Sequence, residues 1–323
     1  MHRPPAVPLA FALTLALLTG AAARATTVFC VDTVSELYGA FAAGNFVNDD
    51  VEVRIVAGTY WLDRELRFDN QFGRRLELLG GYGSYSGGQC NLRRWDSRLT
   101  VLRSVYVTGF DVRLYSGRRI EVENLSFYEL DEVVLDLHGG HADIAMNMVR
   151  IEGTGGLTID TTDADNSTVD LWNLAILRSY EAPAAKMILD NTDFTMIYGT
   201  IYDNDRTSAT IGGLEFDSDG NSQLTVSRSV IWDNGPVDFY VDDDAPDGWY
   251  NIIDIIDREN DSTPIFMGWT QVDPRLDYDG APLANSPCIN GATQSTSILR
   301  DLIGRVRVSW NRSDIGAFEG PLD

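Results

Sequence analysis

Apolar and polar residues alternate in short runs that recur along the middle of the chain. Ile120-Glu-Val122-Glu-Asn124-Leu-Ser-Phe127 returns as Ile144-Ala-Met146-Asn-Met148-Val-Arg-Ile151, Val169-Asp-Leu171-Trp-Asn173-Leu-Ala-Ile176, Phe194-Thr-Met196-Ile-Tyr198-Gly-Thr-Ile201 and Leu224-Thr-Val226-Ser-Arg228-Ser-Val-Ile231, at offsets of 24, 25, 25 and 30 residues. A second tract keeps step with it through Val133/Leu135, Leu157/Ile159, Met187/Leu189, Leu214/Phe216 and Phe239/Val241. Alternation at period two predicts strands buried on one side, and the intervening Gly, Asn, Asp and Ser turn the chain. Each unit is too short for a helical crossover. A β-sandwich would not repeat one pattern in register five times. The expected fold is therefore all-β, a right-handed parallel β-helix with two or three short strands per turn. Looser rungs extend it upstream through Val51/Val53/Ile55, Leu76/Leu78 and residues 100–107. If residues 51–270 are all coil, they make about nine turns and a rod of roughly 43 Å.

The ends of such a rod need covers. Thr33-Val-Ser-Glu36 reads as a capping box opening a short helix, whose Val34, Leu37, Tyr38 and Phe41 share a face that can plug the first turn. Ahead of it, residues 1–25 read as an export leader. Arg3 precedes an apolar run from Val7 to Leu18, and Ala23-Arg-Ala25 offers small residues for cleavage after Ala25. The chain thus divides into a leader (1–25), a cap with a short helix (26–50), a β-helix (51–270) and an irregular C-terminal cap (271–323). No later segment reaches the apolar length of a membrane span, so a secreted or periplasmic location is expected.

Charge narrows the partners. With 48 acidic against 25 basic residues the net charge is −23, which argues against nucleic acid and anionic membrane surfaces. Of the basic residues only Lys186 is lysine, a bias usual in high-GC bacteria. The three cysteines show no zinc-ligand spacing. Cys30 and Cys90 flank the first rungs, and joining them in an oxidising compartment closes a loop worth about 4 kcal/mol in the chain-entropy picture. That leaves Cys288 unpaired.

Four later blocks carry a resemblance. Asp273-Pro-Arg-Leu276, Ser286-Pro-Cys-Ile-Asn-Gly291, Asp301-Leu-Ile-Gly-Arg305 and Asp314-Ile-Gly-Ala-Phe-Glu319 look like the C-terminal segment of bacterial secreted β-helix proteins of the choice-of-anchor Q type. The front resembles them too, through Ala57-Gly-Thr-Tyr60, Gly80-Gly-Tyr82 and Thr100-Val-Leu102. Asn290 departs from the pattern, standing where an Asp is usual. The resemblance implies a pectate-lyase-like fold and no particular activity, because that fold serves lyases, hydrolases, adhesins and binding rods alike.

The candidate chemistry is sparse. Asn191-Thr-Asp193 resembles the Asn-Thr-Asp of polygalacturonases, but the Arg-Ile-Lys of that set is missing, and a polar turn is the simpler reading. His138-Gly-Gly-His141, flanked by Asp136 and Asp143, offers metal-ligand or acid/base chemistry, and glycine turns expose such side chains by chance. Asp136, Asp160, Asp190, Asp217 and Asp242 follow the second tract and are expected to stack along one edge, where Ca²⁺ would relieve their repulsion; the alternative is solvated turn aspartates.

Residues 64–119 hold 11 arginines against 5 acids, a balance of +6, whereas residues 215–279 hold 3 against 16, a balance of −13. Tyr82, Tyr85, Arg93, Arg94, Trp95, Arg113, Arg118 and Arg119 lie in the positive segment and suit an acidic glycan. Arginine stems covering the rungs is the competing explanation. The leading expectation is a non-enzymatic β-helix that binds a polysaccharide or cell-surface partner through a lateral face, as a monomer. The alternative is a polysaccharide lyase or glycoside hydrolase.

Overall fold

The computed structural model describes residues 25–320 apart from 73–74, 87–88, 107, 116–118, 165, 182, 205–210, 259–264, 293–299 and 308–311. Arg118, the side chain of Tyr85 and nearly all of the expected leader lie outside the described residues.

The five copies of the repeat stack in register, Ile120 on Ile144, then Val169, Phe194 and Leu224. The result is a parallel β-solenoid. An eight-stranded sheet runs from Leu66–Asn70 to Ile256–Arg258, and a 16-stranded sheet forms the other two sides. The long strands Arg119–Tyr128, Asp143–Glu152 and Ser167–Leu177 bend at Asn124, Met148 and Asn173. These residues have left-handed backbones, and the same corner continues through Tyr198, Arg228 and Tyr250. The fifth position of the repeat is therefore a corner, and it divides the larger sheet into an upstream and a downstream limb. Inside, Val122, Phe127, Leu135, Ile144, Ile159, Leu171 and Phe216 belong to one continuous core.

At the N-terminal end, helix α1 (Val34–Gly44) plugs the first turn. The Thr33 hydroxyl accepts from the Glu36 amide at 3.2 Å. Leu37, Ala40 and Phe41 are buried, with the Phe41 ring edge-on to Phe68 and Phe110.

Among the described residues the smaller sheet has eight strands, so the rod makes about eight turns rather than nine. One turn is long: Leu66 pairs with Phe110, 44 residues on. The surplus forms an excursion in which Tyr82–Ser86, at the end of a strand whose first half stays in the parallel coil, folds back antiparallel onto Gln89–Arg93. The Cys30–Cys90 disulfide pins it to the first strand, and Cys288 is free and buried, both as expected. At Gly81, a Cβ would lie 2.1 Å from Asn124 Nδ2 and 2.3 Å from the Arg94 carbonyl, so only glycine lets the excursion close on the corner.

The second tract needs one correction. Leu157 pairs with Ala185 and Ile159 with Met187, so the tract reads Ala185/Met187, not Met187/Leu189. A slip of two residues preserves the inward parity, and small Ala185 gave no apolar signal to prevent it.

The C-terminal segment is irregular, as expected, but it lies along the side of the coil as a strap over the downstream limb instead of capping the end of the rod. Leu302, Ala317 and Phe318 pack on Met148, Ala175 and Leu177, while Cys288, Ala292 and Ile315 pack on Val230 and Ile252. Arg307 is fully buried and fastens the strap. Its guanidinium donates to the carbonyls of Gly316 and Ala317, to Asn173 Oδ1 and to Glu319 Oε1, and sits 3.9 Å from the Tyr198 ring centroid. Buried Asp301 accepts from the amides of Ile303, Arg305 and Glu319. Asp314 accepts from the amides of Asn290 and Gly320. The Asn290 contribution is thus a backbone one.

Candidate functional site

The arginine-aromatic residues separate into three places. On the excursion, the Arg93 guanidinium lies 4.6 Å from the Trp95 ring centroid and 5.7 Å from that of Tyr82, and the Arg54 guanidinium lies 5.8 Å from the Tyr82 centroid. Arg93 also pairs with Glu123 at 2.5 Å and donates to the Gly80 carbonyl. Trp95 is 41% exposed, Arg94 is exposed beside it, and Leu92 is 84% exposed. Burial pushes the Tyr82 phenol up from its ordinary range, so it stays a neutral hydroxyl at neutral pH.

Arg119 lies on the upstream limb, paired with Glu121 at 3.1 Å. Arg113 projects from the eight-stranded sheet, 3.0 Å from Asp111 and 3.9 Å from Asp136. The structure therefore brings Tyr82, Arg93, Arg94 and Trp95 together, and places Arg113 and Arg119 elsewhere. Many of the arginines meet carboxylates from other turns: Arg75 reaches Glu121 and Arg103 reaches Glu129. The positive balance of residues 64–119 is thus offset in space by acids that come later in the sequence.

The acidic row also divides. Asp136 pairs with Asp160, but Ile188, not Asp190, stands opposite Asp160, and Asp217 then faces Ile188. The two-residue slip in the tract put Asp190 in the row. Asp160 accepts from the Thr162 amide and hydroxyl at 2.9 and 2.7 Å. Lys186 lies 3.7 Å from Asp217. Among the described residues no group of three or more His, Cys, Asp or Glu converges as a metal site.

Sequence reasoning missed a groove of about 380 Å³ on the eight-stranded sheet, lined by Glu65, Asp111, Arg113, Asp131 and Glu132. Next along the sheet, His138 Nε2 lies 3.0 Å from Asp136 and its Nδ1 2.8 Å from Asp163, with the ring stacked on Tyr115 at 4.8 Å. Partial burial pulls the His138 pKa down. The Asp163 hydrogen bond and the Asp136 charge outweigh that, so it lies above its ordinary value. Burial, helped by Asp160, pushes Asp136 up against the pull of His138. His138 stood out in the sequence, but Asp163, 25 residues on, meets it only because one turn brings it alongside.

Asn191 is a left-handed corner residue whose side-chain Nδ2 donates to Asn166 Oδ1, and Thr192 next to it is buried. These two residues build the turn.

No family model, no curated protein and no solved structure matches this chain. The C-terminal blocks therefore remain a likeness of motifs. Their best-defined side chains, Asp301, Asp314 and Glu319, hold the strap.

Proposed function

We propose that this chain is an exported rod that binds an acidic surface glycan or cell-surface partner through its lateral surface, at the excursion that carries Tyr82, Arg93, Arg94 and Trp95. The observation that carries the reading is the Arg93 guanidinium held beside two aromatic rings with exposed Arg94 and Trp95 at the rim. Aromatic faces pack against sugar rings, and with the Arg93 donors committed to Glu123 and Gly80, the fork that meets a carboxylate or sulfate is that of exposed Arg94. The disulfide and the Arg93–Glu123 pair fix the platform before a ligand arrives, which lowers the ordering cost of binding.

The test is titration calorimetry of residues 26–323 with a polyuronate at low and high salt. Affinity is expected to fall with salt and to weaken about tenfold in Arg94→Ala with Trp95→Ala. Salt-insensitive binding, or binding unchanged in that variant, moves the ligand elsewhere.

A second reading, a polysaccharide lyase or glycoside hydrolase, draws on His138 between Asp136 and Asp163 beside the Arg113 groove. It requires polyuronate to be cleaved to unsaturated products or new reducing ends, and the activity to disappear in His138→Ala.

A further inference from the structure

The outward surface of the upstream limb changes character along the rod. In the early turns its carboxylates are matched: Glu52 with Arg54, Glu77 and Glu121 with Arg75, Glu121 also with Arg119, and Glu123 with Arg93. From the strand Ser167–Leu177 onward the register builds a different row. Trp172 faces Ile197, Ile197 faces Ser227, and Trp249 faces Met267, with the Trp249 amide donating to Ser227 Oγ at 3.1 Å. Beside it runs a row of Asp170, Thr195, Thr225 and Asp247, and Asp193 stands opposite Thr168. Trp249 is 41% exposed and Met267 59%. Asp170 and Asp193 make no ion pair among the described residues.

Aromatic faces edged by unmatched carboxylates attract cations. A ring face holds an ammonium through its quadrupole, and a nearby carboxylate adds a charge-assisted hydrogen bond. The rows run along the rod axis at about 4.8 Å per strand, and Trp172 and Trp249 are three strands apart, roughly 14 Å. A linear ligand lying along the axis therefore meets an indole beside a carboxylate at each end of this span, with Ile197, Ser227, Thr195 and Thr225 between them.

We propose that this late upstream face docks a linear polymer of hexosamine with free amino groups. Its sugar rings lie on Trp172 and Trp249, and its ammonium groups lie beside Asp170, Asp193 and Asp247. The carboxylates of the row itself, Asp170, Asp193 and Asp247, draw such a polycation to this face of a chain whose net charge is −23. A sugar polymer fits better than a basic peptide because pyranose C–H faces stack on indoles, while its hydroxyls suit Thr195, Thr225 and Gln223. The proposal is independent of the excursion, which takes a ligand of opposite charge.

The experiment is isothermal titration calorimetry of residues 26–323 at low salt with a glucosamine hexamer, an N-acetylglucosamine hexamer and hexalysine. Saturable binding is expected for the glucosamine hexamer, with affinity lowered about tenfold in Trp172→Ala with Trp249→Ala and again in Asp170→Asn with Asp193→Asn. Both variants change outward side chains and should keep the parent melting temperature. If either does not, each substitution is measured singly. Arg94→Ala with Trp95→Ala should leave this binding unchanged, which separates it from the excursion. Four results overturn the proposal: equal affinity for the acetylated hexamer, tighter binding of hexalysine, no binding of the glucosamine hexamer, or unchanged affinity in the tryptophan variants.

Discussion

On the eight-stranded sheet the strand Val133–His138 alternates between buried and half-exposed positions, and its outward side chains meet water. On the downstream limb the last five residues of Ser167–Leu177 are all buried, because the coil covers one side and the strap the other. Both surfaces share the same stacked backbone. What differs is the outward residue, Asp111, Arg113 and Asp136 on one and Ala175, Leu177 and Val230 on the other. A solenoid side made of apolar outward residues has to be covered, and the strap answers that need without adding a strand to the coil.

Four measurements would break or sharpen this contrast. The largest effect is expected from placing one charge on each surface. Leu177→Asp buries an unpaired carboxylate under the strap and should cost about 4–5 kcal/mol, whereas Val134→Lys, opposite Asp111 on the open sheet, should stay within about 0.5 kcal/mol. Similar midpoints in urea for the two variants would mean that the strap does not seal the limb.

Next comes the fastening. Arg307→Met leaves the Gly316 and Ala317 carbonyls and Asn173 Oδ1 short of their donor, and is expected to cost about 3 kcal/mol by thermal unfolding. A loss near zero would show that the strap is held by its apolar contacts alone.

A smaller effect should follow pH. Burial pushes the Glu319 carboxyl up to about 8 despite Arg307, from an ordinary value of 4.5. Because the folded value is the higher one, the stability it contributes is fully present below 4.5 and is lost as pH rises through about 8. Hydrogen exchange at the Gly316 and Ala317 amides, corrected for intrinsic rate, should therefore quicken between neutral pH and pH 9 while the Leu135 amide does not change. Equal protection at both pH values would contradict it.

The smallest effect belongs to the open sheet. Arg113→Ala removes a pair whose arginine is about a third exposed but whose Asp111 carboxylate is buried; with Arg67 3.9 Å from the same carboxylate, stability should change by about 1 kcal/mol.

The repeat was legible because period-two alternation and left-handed corner positions are local properties. Ile120, Ile144, Val169, Phe194 and Leu224 align by counting alone, and the structure pairs them. The strap was less legible, although Leu174-Ala-Ile-Leu177, Val230-Ile231 and Ile252-Ile253 are continuous apolar runs of the kind found in strands buried on both sides. Reading them only as alternating tracts hid the cover. The candidate site was least legible, because its partners are set by register. Arg93 meets Glu123 and Arg75 meets Glu121 across 30 and 46 residues. An error of two residues at Ala185 is enough to move Asp190 into a row it does not join.

The strap also changes how the rod can come apart. Stacked repeats interact only with their neighbours, so a bare solenoid can fray from either end one repeat at a time. Here the Leu302 carbonyl accepts from the Ser97 amide, Arg307 holds Asn173, and Gly316 donates to the Arg228 carbonyl. One peptide thus binds early, middle and late turns together. Separating any of them means loosening a contact shared by all, so a linear array gains the all-or-none cooperativity of a globular domain.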